Sequence, residues 1–319
     1  MVGEFPELQG VMGGKYLLAE GEPRQVALAV LEHYLPRGAG DSLPSSDAGA
    51  VLALAERLEL LLSIYAKGER PSGSSDPYAL RRAGNGLLQI LWDRGWPLDL
   101  PALLQRATGH WATLLPQCAV QPHALAADLA ELLRQRLVSL LEEEGVDGDV
   151  VQAVAGEGLP LERVLADPAD ARRRAVLLQA LRQGGELPAV QAVVQRAARL
   201  AEKGSLDGSV RSPRLVVDPA LFEKASEPAM LRVLEQLEPI ATAPVALANP
   251  QGEDEHADPY ALLARGLAES ASILSAFFDG PDSVLVMADD PAVRTNRLNL
   301  LAVLRNQAAV LADFSRLAG

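Results

Sequence analysis

A chain of 319 residues is long enough for roughly two or three packing units, and with 49% hydrophobic but only 4% aromatic residues its cores must be Leu, Ala and Val. One cysteine excludes an internal disulfide framework and any cysteine-built zinc cage. The formal net charge of −13 argues against a protein that coats nucleic acid and leaves room only for a focused basic patch. Leu and Ala are good helix formers, whereas strands favour β-branched and aromatic residues, so an all-α fold is expected. No apolar run reaches the roughly 20 residues of a membrane span. The start, MVGEFPELQG, has neither the basic nor the apolar region of a signal peptide, and a cytoplasmic location is expected. Cys118 reads as a small, partly buried thiol.

Taken in order, the first strong pattern is Asp47 to Ala66. There Val51, Leu54, Ala55, Leu58, Leu61 and Leu62 recur at helical steps behind the capping residues Ser45, Ser46 and Asp47. Asp76-Pro77 predicts a helix from Pro77 to about Arg94, a cap followed by proline in the first turn. The clearest stripe is Leu125, Leu129, Leu132, Leu133, Leu137, Leu140 and Leu141. Further helix starts are expected at Asp167-Pro168, around Pro188, and at Asp218-Pro219, Asp258-Pro259 and Asp290-Pro291. Gly204 to Val217 reads as a loop, and Ala241 to Asp258 as an acidic, proline-rich surface linker. The resulting division is a helical domain over 1–115, a connecting helical region over 116–217 and a closing helical bundle over 218–319.

The residues best placed to meet an anion are Arg294, Asn296 and Arg297, at the start of the helix that Asp290 would cap. Free N–H groups and the positive end of the helix dipole lie there. The arginines could clamp phosphate and Asn296 could read a base edge. By themselves they read better as answering Asp279, Asp282, Asp289 and Asp290 in local salt bridges. Arg305 is a further candidate contact. Arg81 and Arg82 are adjacent near a helix start, so they cannot share a face. Arg172 to Arg174 form the densest basic cluster, by default a solvated helix face, and Arg211 and Arg214 sit in the Gly204 to Val217 loop. Phe277 and Phe278 could stack on bases, but both read better as core. Gly13-Gly14-Lys15 lacks the spacing of a phosphate-cradling loop, and no nucleophilic triad can be assembled.

Four blocks in order, EFPELQGVMG (Glu4 to Gly13), EHYLPRGAGDSLP (Glu32 to Pro44), SGSSDPYALRRAGNGLLQIL (Ser72 to Leu91) and FFDGPDSVLVMADDPAVRTNRLNLL (Phe277 to Leu301), resemble the beta subunit of bacterial glycyl-tRNA synthetase. Between about Gln105 and Glu255 the likeness is mainly one of helical pattern. The resemblance implies the carboxy-terminal portion of that subunit: an HD-like helical domain, a helical linker and an anticodon-binding (DALR-like) helical bundle. It also implies that the matching region begins upstream of Glu4, with Met1 an internal methionine and an apolar surface exposed near the N-terminus.

Arg294, Asn296, Arg297 and Leu298 fall where that family has Arg-x-Asn-Arg-Leu. In the Ser72 block, Ser75 stands for the family's lysine and Tyr78 for its phenylalanine, which removes a positive charge beside Arg81 and Arg82. An HD hydrolase would need an adjacent His-Asp pair and converging ligands. Here His33 and Asp41 are apart, His110, His123 and His256 are scattered, and Glu56 and Glu59 stand where similar chains carry aspartates. The fold is therefore expected without the hydrolase chemistry or a metal. The resemblance implies a non-catalytic subunit of an aminoacyl-tRNA synthetase that positions tRNA-Gly, partnered by an alpha subunit that carries ATP, Mg2+ and the glycine-activating site, two of each assembling. A metal-dependent phosphohydrolase and an acidic protein-interaction scaffold are the alternatives.

Overall fold

The structure, a computed structural model, describes residues 4–5, 8–243 and 258–318. Its helices are α1 (Val11–Ala19), α2 (Arg24–Glu32), α3 (Asp47–Ala66), α4 (Leu80–Arg94), α5 (Leu100–Leu114), α6 (Pro122–Glu143) and α7 (Gly148–Ala155). They continue with α8 (Leu161–Leu165), α9 (Pro168–Gln183), α10 (Leu187–Ala201), α11 (Ser226–Thr242), α12 (Pro259–Ala276) and α13 (Pro291–Ala308). Among the described residues the only β pairing is an isolated bridge between Ser72 and Ser75, so the fold is all-α. None of the described helices is long and apolar enough to cross a membrane. Most of the expected linker, residues 244–257, lies outside the described residues.

The chain divides into two compact units, residues 1–144 with 155–172, and residues 145–154 with 173–319. The boundary expected near residue 115 falls between α5 and α6, which pack against each other inside the first unit.

In the first unit, α6 packs on α3, α4, α5 and α8, while α1, α2 and α3 follow one another in contact. All seven leucines of the α6 stripe are buried, against Leu61 and Leu62 of α3, Leu87, Leu88 and Leu91 of α4, and Leu100 and Leu104 of α5. Each such side chain contributes about 1.5–3 kcal/mol by leaving water. The entry to α3 is held from outside the helix. The buried Glu32 carboxylate accepts hydrogen bonds from the Ser45 amide at 3.1 Å and the Ser46 amide at 3.0 Å, as well as from both serine hydroxyls. Ser46 in turn caps Gly49. Burial alone would raise the Glu32 pKa, but these donors outweigh it and hold the carboxyl below its ordinary range. The helix expected at Pro77 begins three residues later, at Leu80. Ala79 takes a left-handed conformation, and Asp76 spends its carboxylate on the amides of Leu80 and Arg81, so 77–79 form a turn ahead of the helix.

In the second unit, α10 packs on α12 and α13, and α11 packs on the same two helices, making the four-helix closing bundle. Asp258 and Asp290 cap α12 and α13, each with proline in the first turn. Asp218-Pro219 behaves differently. It opens only a 3₁₀ turn over Pro219–Leu221, Phe222 is extended, and α11 starts at Ser226, where Glu227 accepts from the amides of Glu223 and Lys224. Phe277 is fully buried, whereas Phe278 is half-buried, edge-on to Phe277 and under the Arg196 guanidinium at 4.6 Å. Cys118 is exposed on a 3₁₀ turn, not partly buried, because the short Pro116–Cys118 segment packs no side chain inward.

The first α7 turn is tied to α9 by Arg182, which donates to both Asp149 carboxylate oxygens at 2.6 Å and to Asp147 at 2.9 Å. Arg182 thereby holds the Asp149 carboxyl at about 2, below its ordinary 3.8. A depressed carboxyl stabilises the fold above its unfolded pKa and loses that contribution as pH falls through the folded value. Roughly 2 kcal/mol should therefore be present above about pH 4 and lost towards pH 2. Urea unfolding of the parent protein and of Asp149→Asn should converge over that window; parallel curves would show that the pair contributes nothing.

Candidate functional site

The expected anion site at the start of α13 is built mostly inward. Arg297 is 3% exposed and its partner Glu227 is fully buried. Arg297 Nε donates to Glu227 at 2.9 Å, Nη2 to Glu223 at 2.8 Å, and Nη1 to the Leu285 carbonyl at 3.0 Å. Burial opposes the charge on both side chains, yet these hydrogen bonds win, so Glu227 titrates below and Arg297 above its ordinary value. Asn296 is also buried. Its amide exchanges two hydrogen bonds with the Asp218 backbone, accepting at 2.7 Å and donating at 2.9 Å.

The same helix repeats this pattern along its length. Asn299 donates to the Val216 carbonyl, Asn306 to those of Asp207 and Val210, and Gln307 to those of Arg211 and Leu234. Arg305 donates to the Leu206 carbonyl at 3.3 Å. The loop from Leu206 to Asp218 has no ladder of its own, and α13 satisfies its carbonyls.

The partly exposed residues around this helix start are different ones. Arg294 is half-buried and donates to the Ala288 carbonyl at 3.2 Å. Arg214 is 74% exposed beside Glu238 at 3.5 Å. An open cleft of about 600 Å³ runs between Arg214, Leu215 and Asp218 on the loop and Pro291, Thr295 and Asn299 on α13. Leu215 is 97% exposed, Leu285 71%, and Met287 is exposed as well. Single exposed apolar side chains are ordinary; Leu215 lines this cleft, while Leu285 and Met287 stand on the segment that leads into α13. Leu285, Met287 and Thr295 were not singled out in the sequence, where an exposed leucine looks like any other.

The remaining basic residues are spread over both units. Arg172 pairs with Glu144 at 2.8 Å and lies over the Trp92 ring, Arg173 lies over Tyr260, and Arg174 is buried and donates to the Leu311 carbonyl. They are therefore no solvated face, since each reaches a different neighbour. Arg211 donates to the Ala241 carbonyl. Arg82 is exposed and makes one long hydrogen bond, to the Arg37 carbonyl at 3.5 Å. The Arg81 amide is held by Asp76, and its guanidinium makes no ion pair among the described residues.

The HD-like residues do not converge either. His33 Nδ1 lies 2.5 Å from the Val30 carbonyl, and Asp41 is held at about 2 by hydrogen bonds from Arg37. Among the described residues no three His, Cys, Asp or Glu side chains come together as metal ligands would.

Residues 1–156 match the family model described as glycyl-tRNA synthetase beta subunit. The chain is 47% identical to the glycine–tRNA ligase beta subunit of Acaryochloris marina, over 98% of this chain and 42% of that protein. The corresponding proteins of Trichodesmium erythraeum and Synechocystis sp. are 45% and 41% identical, over 99% and 98% of this chain and 43% of each relative. The chain thus spans less than half the length of the curated relatives it matches.

Removing one member of a buried ion pair strands the other, at a cost of about 3–5 kcal/mol, whereas an apolar replacement of both can be close to neutral. Arg297→Ala should accordingly lower the urea midpoint strongly, and Arg297→Met combined with Glu227→Leu should recover much of the loss. Equal unfolding of Arg297→Ala and the parent protein would contradict the structural role.

Proposed function

Since the chain belongs to the glycyl-tRNA synthetase beta subunit family, we propose that it holds tRNA-Gly for a glycine–tRNA ligase and contributes no reacting group itself. The observation that carries this reading is the 47% identity that runs through both units with hardly a residue left out. The first unit takes the part of the HD-like domain, and the four-helix bundle that of the anticodon-binding domain. An alpha subunit, two of each chain assembling in the cytoplasm, supplies the site for glycine and for ATP with Mg2+. The work of this chain is positional: gripping a large substrate in one orientation removes several kcal/mol from the barrier without a chemical step.

Within the bundle, the contact surface is the rim around the α13 start. Arg294 and Arg214 face backbone phosphates, and Leu215, Leu285 and Met287 offer apolar support to unstacked bases. Asn296 and Arg297 act from beneath, by fixing the loop that carries Asp218 and the one that carries Leu285. Arg305 and Arg81 make weaker candidates for direct contact, the first because it is tied to Leu206 and Asn306.

Titration of tRNA-Gly against the complete alpha–beta enzyme, at low and moderate salt, tests this. Arg294→Ala and Arg214→Ala should each weaken binding and reduce the salt slope by about 1, as a lost phosphate contact does. Exchange of the anticodon should weaken the parent enzyme. Unchanged affinity and aminoacylation in both variants would move the tRNA contact elsewhere on the chain.

A further inference from the structure

The cleft between the Leu206 to Asp218 loop and α13 offers mainly hydrogen-bond acceptors. Asn299 donates through Nδ2 to the Val216 carbonyl at 2.6 Å, which fixes its amide and leaves Oδ1 without a partner but open to solvent. Asp218 is exposed and spends one carboxylate oxygen on the Ala220 amide, leaving the other free. Thr295, one turn before Asn299 on the same face of α13, is exposed, and its hydroxyl makes no hydrogen bond among the described residues. On the reading that the chain binds tRNA, we propose that this cleft takes one unstacked base carrying an exocyclic amino group, cytosine or adenine rather than uracil.

The acceptors are held in place before any ligand arrives. Asn296, beneath them, exchanges two hydrogen bonds with the Asp218 backbone at 2.7 and 2.9 Å. The loop carboxylate therefore keeps a set position relative to Asn299, three residues further along the same helix. Both ends of the Asn296 amide are spent in this way, so the side chain left to read a base edge is that of Asn299. Leu215, Leu221 and Pro291 supply apolar walls, and the volume of about 600 Å³ accommodates a base with its sugar.

The donors and acceptors decide which base fits. An amino group at position 4 of cytosine or position 6 of adenine donates to Asn299 Oδ1 or to Asp218, and the ring nitrogen beside it accepts from the Thr295 hydroxyl. Uracil presents a carbonyl where cytosine has its amine, and two acceptors would then face each other. A site built to pair with a donor discriminates against the analogue that lacks it, because its own polar groups go unmatched. No cation is needed inside the cleft. A phosphate there would meet the Asp218 carboxylate, so the RNA backbone stays at the rim beside Arg214.

Fluorescence anisotropy with labelled hexacytidylate, hexaadenylate and hexauridylate, titrated with the complete alpha–beta enzyme, tests the assignment. The cytosine and adenine oligomers should each bind about five-fold tighter than the uracil one, the worth of one matched hydrogen bond. Thr295→Val and Asn299→Leu should each reduce that preference while hexauridylate binds as before. Simple loosening of the loop would weaken all three oligomers alike, and Thr295→Val removes no hydrogen bond within the protein. Equal binding of the three by the parent enzyme, binding of none, or a preference kept in both variants would each overturn the assignment. The affinity of tRNA-Gly for the Arg294→Ala and Arg214→Ala enzymes, measured beside them, decides the tRNA reading separately, since base preference does not depend on either arginine.

Discussion

Everything at the closing end of the molecule depends on one buried ion pair, Arg297 with Glu227. A guanidinium and a carboxylate taken out of water lose several kcal/mol each in hydration, and mutual attraction compensates only where every remaining donor and acceptor is matched. Here they are matched. Glu227 also receives two backbone amides, and Arg297 also reaches Glu223 and the Leu285 carbonyl. The pair therefore does more than join two helices. It closes the turn that starts α11 and fixes the loop on which Leu285 and Met287 stand exposed. The buried charges set where the surface residues lie, so the surface cannot be rearranged without uncovering them.

The amides of α13 extend the same constraint. A loop such as Leu206 to Asp218, with neither helix nor strand, must find partners for its carbonyls or leave them to water. Asn299, Asn306 and Gln307 supply side-chain donors at spacings that follow one side of α13, and Asn296 completes the set at Asp218. Leucine at these positions would suit a bundle core and would strand the loop. This is why α13, the last long helix, is polar along a face that is buried.

Much of the helical pattern was legible because burial of Leu at three- and four-residue steps has few alternatives. The α6 stripe is buried throughout, and α3 keeps its expected limits. The Asp-Pro signal was less decisive. At Asp167, Asp258 and Asp290 it opens a helix at once, but at Asp218 the carboxylate caps only a 3₁₀ turn, and at Asp76 it reaches past a turn to the first amides of α4, since a cap satisfies whichever N–H groups lie near it. The site was the least legible part. In sequence the nearby aspartates look like the partners of Arg297, while its partners are Glu223 and Glu227, on the far side of the linker and adjacent only after folding. Charge and spacing look the same whether an arginine awaits a phosphate or already holds a carboxylate.

That ambiguity has a physical consequence for binding. The chain carries 29 Lys and Arg against 42 Asp and Glu, and many of the arginines are engaged by acidic side chains or by carbonyls. On the proposed tRNA reading, each arginine so engaged is one fewer to release counterions from RNA. A low background field has a compensating use. On the proposed reading, a cognate polyanion would be recognised at positions held by the fold, such as Arg294 with its hydrogen bond to the Ala288 carbonyl. Weak but well-placed contacts of this kind would supply orientation in preference to affinity. Such a division would suit a chain similar over 98% of its length to 42% of a glycine–tRNA ligase beta subunit.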